Sequence, residues 1–150
     1  MTLRLRAHHV LCANGFRNSD DFNEMGFPDP MVANLSRIVR ETLRAVDGER
    51  TRILITSTAD AICAPCDRRI GTGCLLQDRI DRTDAGHAAA LDLTPGLMLS
   101  WGECLDRIRA RVVPADLDHL CVGCPWLPLG MCKDAIGRLH AERDLKPGAR

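Results

Sequence analysis

The chain has 150 residues, twenty of them basic and twenty acidic, so its formal net charge is zero. That length suits one domain with a single core, and the balanced charge lacks the basic stripe that sequence-independent nucleic-acid binding needs, so no nucleic-acid partner is expected. No run of about 18 apolar residues occurs, and "MTLRLRAHHVLCANGF" is interrupted by His8, His9 and Asn14 where a secretory leader needs an unbroken apolar stretch.

A cytoplasmic protein without a membrane span is therefore expected. In a reducing compartment, eight cysteines point to metal ligation or redox chemistry rather than to disulfides.

The first element is a short strand at 3–6, "LRLR", followed by a short helix over 7–16 that ends near Gly15. A longer helix starts at Asp29 as N-cap with Pro30 in the first turn. It carries Met31, Leu35, Ile38, Val39, Leu43 and Val46 at helical spacing until Gly48 stops it. "RILITS" (52–57) reads as a strand that pairs with 3–6 in a two-stranded ribbon. An Ala-rich helix is expected at about 84–92. Ser100 and Glu103 stand in the capping-box relation ahead of Trp101, Cys104, Leu105, Ile108 and Val112 on one helix face. Pro114 starts a further short turn leading to Leu120, "KDAIGRLHAERDL" forms a last amphipathic helix, and 146–150 is a frayed tail. The fold expected is mainly α with a small two-stranded β element, one compact domain over 1–150 with Cys-rich loops between helices.

Those loops repeat a spacing. "CAPCDRRIGTGC" holds Cys63, Cys66 and Cys74, and "CVGCPWLPLGMC" holds Cys121, Cys124 and Cys132, each as Cys-x2-Cys-x7-Cys. Two intervening residues let a tight turn aim two sulfurs at one centre. A seven-residue excursion can return a third, with Gly73 and Gly130 supplying backbone freedom just before it. Each set offers three thiolates where a zinc site or cubane cluster takes four protein ligands.

The missing ligands have candidates in "HHVLC". Either His8 or His9 shares a helix face with Cys12, and neutral imidazole and thiolate both suit zinc or iron. The bland reading of these histidines is one ring hydrogen-bonded in the core and the other exposed. Cys104 lies on an apolar helix face and reads as core. His87 and His140 read as structural or solvated, His119 is a reserve ligand, and Trp126 either shields a metal site or simply packs.

The segments "RAHHVLCANGFR", "ICAPC" with the later Cys74, "GLMLSW" and "CVGCPWLPLGMC" resemble a family of bacterial and archaeal proteins, domain-of-unknown-function family 1284, over roughly residues 3–135. The resemblance implies an iron–sulfur protein with His8, His9, Cys12, Cys63, Cys66, Cys74, Cys121, Cys124 and Cys132 as motif positions, and leaves Cys104 outside the pattern. It brings no established activity.

One or two iron–sulfur clusters, of the 4Fe-4S kind, are the expected cofactor, with structural zinc as the alternative. Disulfides and a thiol-redox Cys-x-x-Cys are the remaining readings, the latter without the βαβ pattern it needs. Electron transfer with a redox protein partner is the expected role, and a zinc-stabilised interaction domain the alternative. No GxGxxG, Walker loop, HExxH or GxSxG occurs, and Asp60, Glu103 and Asp118 form no recognisable catalytic spacing, so whether the chain is an enzyme stays open. The first loop carries Asp67, Arg68 and Arg69 and the second no charge, so two clusters would have unequal potentials, the one beside Trp126 lower.

Overall fold

The computed structural model describes residues 2–16, 29–58, 60–61, 69–70, 73–74, 77–121 and 130–145, of which 29–32, 69–70, 73–74, 77–80 and 143–145 are described in backbone only. Helix predominates, as expected.

Strand β1 (Thr2–Arg6) alternates, with Leu3 and Leu5 buried between exposed Thr2 and Arg4. It pairs in parallel with β2 (Arg52–Thr56), from Thr2 opposite Arg52 to Arg6 opposite Thr56, so Ile53 and Ile55 cover the same face. The expected ribbon has a third member. The short strand β5 (Met98–Ser100) lies antiparallel on the other side of β2, giving the order β1-β2-β5. Three residues with one buried side chain, Leu99, are too few to show an alternation in sequence. A separate two-stranded ribbon joins β3 (Arg69–Ile70) to β4 (Gly73–Cys74).

Helix α1 (Ala7–Gly15) follows β1 directly and buries Ala7, His8, Val10, Leu11, Ala13 and Gly15. Helix α2 (Asp29–Ile38) runs into a π turn at Val39–Leu43, marked by Arg44 N–H donating to the Val39 carbonyl at 2.8 Å. The wider turn keeps Leu35, Ile38, Val39 and Leu43 buried but ends the stripe there. Val46, expected on the same face, is 93% exposed.

Helix α3 (Gln77–Leu91) starts well before the expected 84. Its buried face, Asp84, His87 and Leu91 at helical spacing, is largely polar, so hydropathy alone registers only its Ala-rich end. Helix α4 (Trp101–Arg111) has the expected capping box: Glu103 N–H donates to Ser100 Oγ at 3.1 Å, and Ser100 N–H to Glu103 Oε1 at 3.3 Å. A 3-10 turn (Pro114–Asp116), the short α5 (Leu117–Leu120) and the closing α6 (Met131–Leu145) complete the order.

The core lies between the sheet and α1, α4 and α6, and α1 is its centre, packed on β1, α3, α4 and α6. A nine-residue helix has little stability of its own, so this burial holds it in place. Its first turn therefore meets β1, β2's exit and α3, where the polar groups collect.

Candidate metal centre

Two carboxylates frame the start of α1. One Asp60 oxygen accepts the Arg6 backbone N–H at 2.7 Å and stands 2.6 Å from His9 Nδ1. One Asp84 oxygen accepts the His8 backbone N–H at 3.1 Å and stands 2.9 Å from His8 Nδ1. An ionised carboxylate only accepts, so in both pairs Nδ1 carries the proton, and a neutral ring held this way keeps its lone pair at Nε2. That is the arrangement of metal-binding histidines whose far nitrogen is fixed by a carboxylate. The sequence points to His8 and His9 but not to the two acids that set their tautomers.

Burial reinforces the neutral state. Desolvation, helped by the neighbouring His9, lowers the His8 pKa to about 4 against the opposing pull of Asp84. Burial pushes the Asp84 carboxyl up, but the hydrogen bonds from His8 and the charge of Arg6 outweigh it and hold the pKa below the usual value. Arg6 is itself 1% exposed, with Asp81 and Asp84 oxygens 3.8 Å from Nη1 and, among the described residues, no hydrogen-bond partner at any guanidinium nitrogen. At neutral pH His8 is thus a neutral imidazole held by an ionised Asp84 that lies beside the buried Arg6 cation, with the His9–Asp60 pair alongside.

His87, set aside in sequence as structural or solvated, belongs to the same cluster. It is 1% exposed, its ring lies edge-on to His8 with centroids 6.1 Å apart, and the His8 and His9 rings are 4.2 Å apart. Desolvation, then His8, brings its pKa to about 4. Its Nε2 is 3.1 Å from the Leu120 carbonyl and 3.7 Å from Cys121 Sγ, and its Nδ1 is buried without a partner among the described residues. The available signal was Asp84 and His87 three apart on a helix, a shared face whose polarity hydropathy discounts.

The cysteines divide. Cys12 and Cys121 are half-buried, Cys132 is buried at the start of α6, and all three are thiols, as is Cys104. Gly130 has φ +77°, the backbone freedom expected before Cys132. A Cβ on Gly15 would sit 2.6 Å from Cys132 Sγ and 2.9 Å from its Cα, so only glycine lets α6 bring this thiol against α1. Cys104 is fully buried in the core, as its helix face implied, and burial pushes its thiol up to about 12. Cys74 lies in β4; its side chain, and Cys63, Cys66, Cys124 and Trp126, lie outside the described residues. Of the other histidines, His119 is exposed and His140 Nε2 lies 2.8 Å from the Val112 carbonyl.

Both cysteine loops leave from this cluster. The chain enters the first at Ala61, one residue past the carboxylate that holds His9, with the Ala61 N–H donating to the Arg4 carbonyl at 2.9 Å. It enters the second at Cys121, next to the carbonyl facing His87. Among the described residues no three His, Cys, Asp or Glu side chains close on one point as an ion requires. Among the described residues no helix is long and apolar enough to cross a membrane.

No curated protein and no solved structure matches the chain. A family described as "Protein of unknown function (DUF1284)" matches residues 26–130, a stretch that holds both Cys-x-x-Cys pairs and Cys74 and ends before Cys132, with His8, His9 and Cys12 ahead of it. This match covers well over half of the sequence and agrees with the resemblance carried by the cysteine motifs: the chain belongs to the DUF1284 family.

Proposed function

We propose that this chain is an iron–sulfur protein, with thiolates from its two Cys-x2-Cys-x7-Cys sets and further ligands from HHxxC, acting in electron transfer with a redox protein partner in the cytoplasm. The observation that carries the reading is the pair of carboxylate-held histidines close to where the described chain enters the cysteine loops, each with Nδ1 turned to a carboxylate and Nε2 turned away from it. Two further features fit a metal group: a buried nitrogen of His87 that meets no partner among the described residues and the glycine cradle that admits Cys132 to α1.

The ligand candidates are Cys12, Cys63, Cys66, Cys74, Cys121, Cys124 and Cys132 with His8 and His9. A bound cluster supplies one-electron redox chemistry; the chain's own part is to fix tautomers, exclude water and keep thiols reactive. Serine substitution at Cys63 and, separately, at Cys124 tests it. Each variant should lose iron and sulfide after anaerobic reconstitution, whereas full retention in both contradicts the reading.

The imidazole–carboxylate pairs favour a second reading, structural zinc holding an interaction domain together, because such pairs recur around zinc-bound histidine. Zinc without sulfide in the purified protein, and chelator-driven unfolding, select it.

A further inference from the structure

The arginines of this fold are of two kinds. On α4 they are neutralised: Arg107 and Arg111 each stand 3.7 Å from Asp92, and Arg109 stands 2.9 Å from Asp106 and 3.5 Å from Glu142. Arg40 in the π turn, Arg44 at its end and Arg138 on α6 are exposed and, among the described residues, form no ion pair, although Glu41 is exposed on the same turn. Partial burial, then the charges of Arg138 and Arg40, hold the Arg44 pKa below the usual guanidinium value. Like charges set this close cost stability, and a chain with as many acids as bases has the means to relieve them.

Their position gives the three a use. Arg44 Nη2 donates to the carbonyls of Asn14 at 3.2 Å and Phe16 at 2.6 Å, on either side of Gly15. Arg40 lies over the Phe16 ring, 5.9 Å from its centroid. Gly15 is the residue against which Cys132 packs, so a surface guanidinium is one hydrogen bond from backbone that touches a candidate ligand thiol. Val46, 93% exposed, follows two residues after Arg44 and offers apolar area beside the charge.

We propose that Arg40, Arg44 and Arg138 form the docking face for an acidic electron-transfer protein, set over the contact between Gly15 and Cys132. The inference rests on the iron–sulfur reading above and names the chemistry of its partner. One electron leaves the reduced centre of one protein and enters the oxidised centre of the other, with no bond made or broken. Redox encounters bury little surface, so charge attraction supplies much of their association rate and salt screens it. Nucleic acid fits the face less well, because three guanidiniums on a chain of zero net charge do not make the stripe that phosphate tracking requires.

The test uses the reconstituted full-length chain with an acidic plant-type ferredoxin as probe, read by calorimetric titration and by stopped-flow electron exchange in the direction the two potentials allow. Wild type should bind the probe at low salt and lose affinity as salt is added. Arg40→Glu combined with Arg138→Glu should weaken binding and slow exchange by at least about tenfold. Arg138→Glu alone, at an exposed position, should move both the same way and guards against a double variant that fails to fold. Arg44 is kept, because its bonds to the end of α1 are structural. Arg52→Glu combined with Arg111→Glu makes the same change in net charge at other exposed positions and should alter either readout by less than about twofold. Reduction by methyl viologen radical, a small cation, should not slow in any variant. Equal effects of the two double variants, or a wild type that does not bind the probe, would overturn the inference while leaving the metal reading standing. An oligonucleotide bound by wild type and lost in Arg138→Glu, with ferredoxin unaffected, would also overturn it and give the face to nucleic acid. A chain that takes up no iron with sulfide overturns both.

Discussion

Cys104 and Cys121 are the same residue in two opposite settings. Cys104 sits on α4 among Trp101, Ile108 and Val112, in a region closed by a capping box and lined with apolar groups, and burial pushes its thiol to about 12. Cys121 ends α5 against a neutral imidazole, beside a cluster in which His8, His87, Asp84 and Arg6 are all buried. The first setting stabilises by area removed from water and has no use for chemistry. The second gives up apolar burial for groups that are costly to bury, and such a cost is characteristic of functional sites.

Acid is the strongest way to separate the two regions. His8 and His87 are held at about 4 against 6.5 in an unfolded chain, so between those values the unfolded state binds protons that the folded state refuses. Stability from this source is complete above about pH 6.5 and falls as the pH drops toward 4, by on the order of 3 kcal/mol for each ring. Denaturant titrations with chelator present should show that slope in wild type, and a smaller one in His87→Gln. A flat profile over this window would contradict the buried neutral pair.

Asp84→Ala removes the acceptor of His8 and leaves Arg6 with only the more exposed of its two carboxylate neighbours, Asp81. A loss of about 3–5 kcal/mol is expected, together with metal affinity weakened about 10–100-fold. Chemical unfolding and competition with a chromophoric chelator read the two effects. In the apolar region, Cys104→Ser places a hydroxyl among hydrocarbon and should cost about 1–3 kcal/mol, with metal content unchanged. Native Cys104 should resist iodoacetamide at neutral pH and react once denatured, as mass spectrometry would show. The smallest effect is Ser100→Ala, which opens the capping box at a cost of about 1 kcal/mol, visible as a lowered thermal midpoint. Any change in metal binding from that variant would break the separation between the regions.

The apolar region was the more legible in sequence. Helix α4 was readable because cap, stripe and core cysteine agree, and β1, β2, α1 and the Pro114 turn followed from similar local signals. The π turn at Val39–Leu43, which cut the stripe short of Val46, has no sequence signature of its own, and β5 was too short to alternate. At the candidate metal centre, spacing pointed to His8, His9 and Cys12, but the partners of the two histidines are acids 51 or more residues away, at positions that hydropathy treats as solvent. His87 was discounted for the same reason: a lone histidine gains meaning only from what the fold sets beside it.

The central claim is that the two cysteine loops and the carboxylate-held histidines make a metal centre. Anaerobic purification of the chain, followed by iron, acid-labile sulfide and zinc analysis with an absorption spectrum, tests it most directly. A brown protein with matched iron and sulfide is expected, roughly four or eight of each per chain according to whether one or two cubane clusters assemble. A colourless protein without iron, sulfide or zinc, and unable to take up any of them on reconstitution, would contradict it.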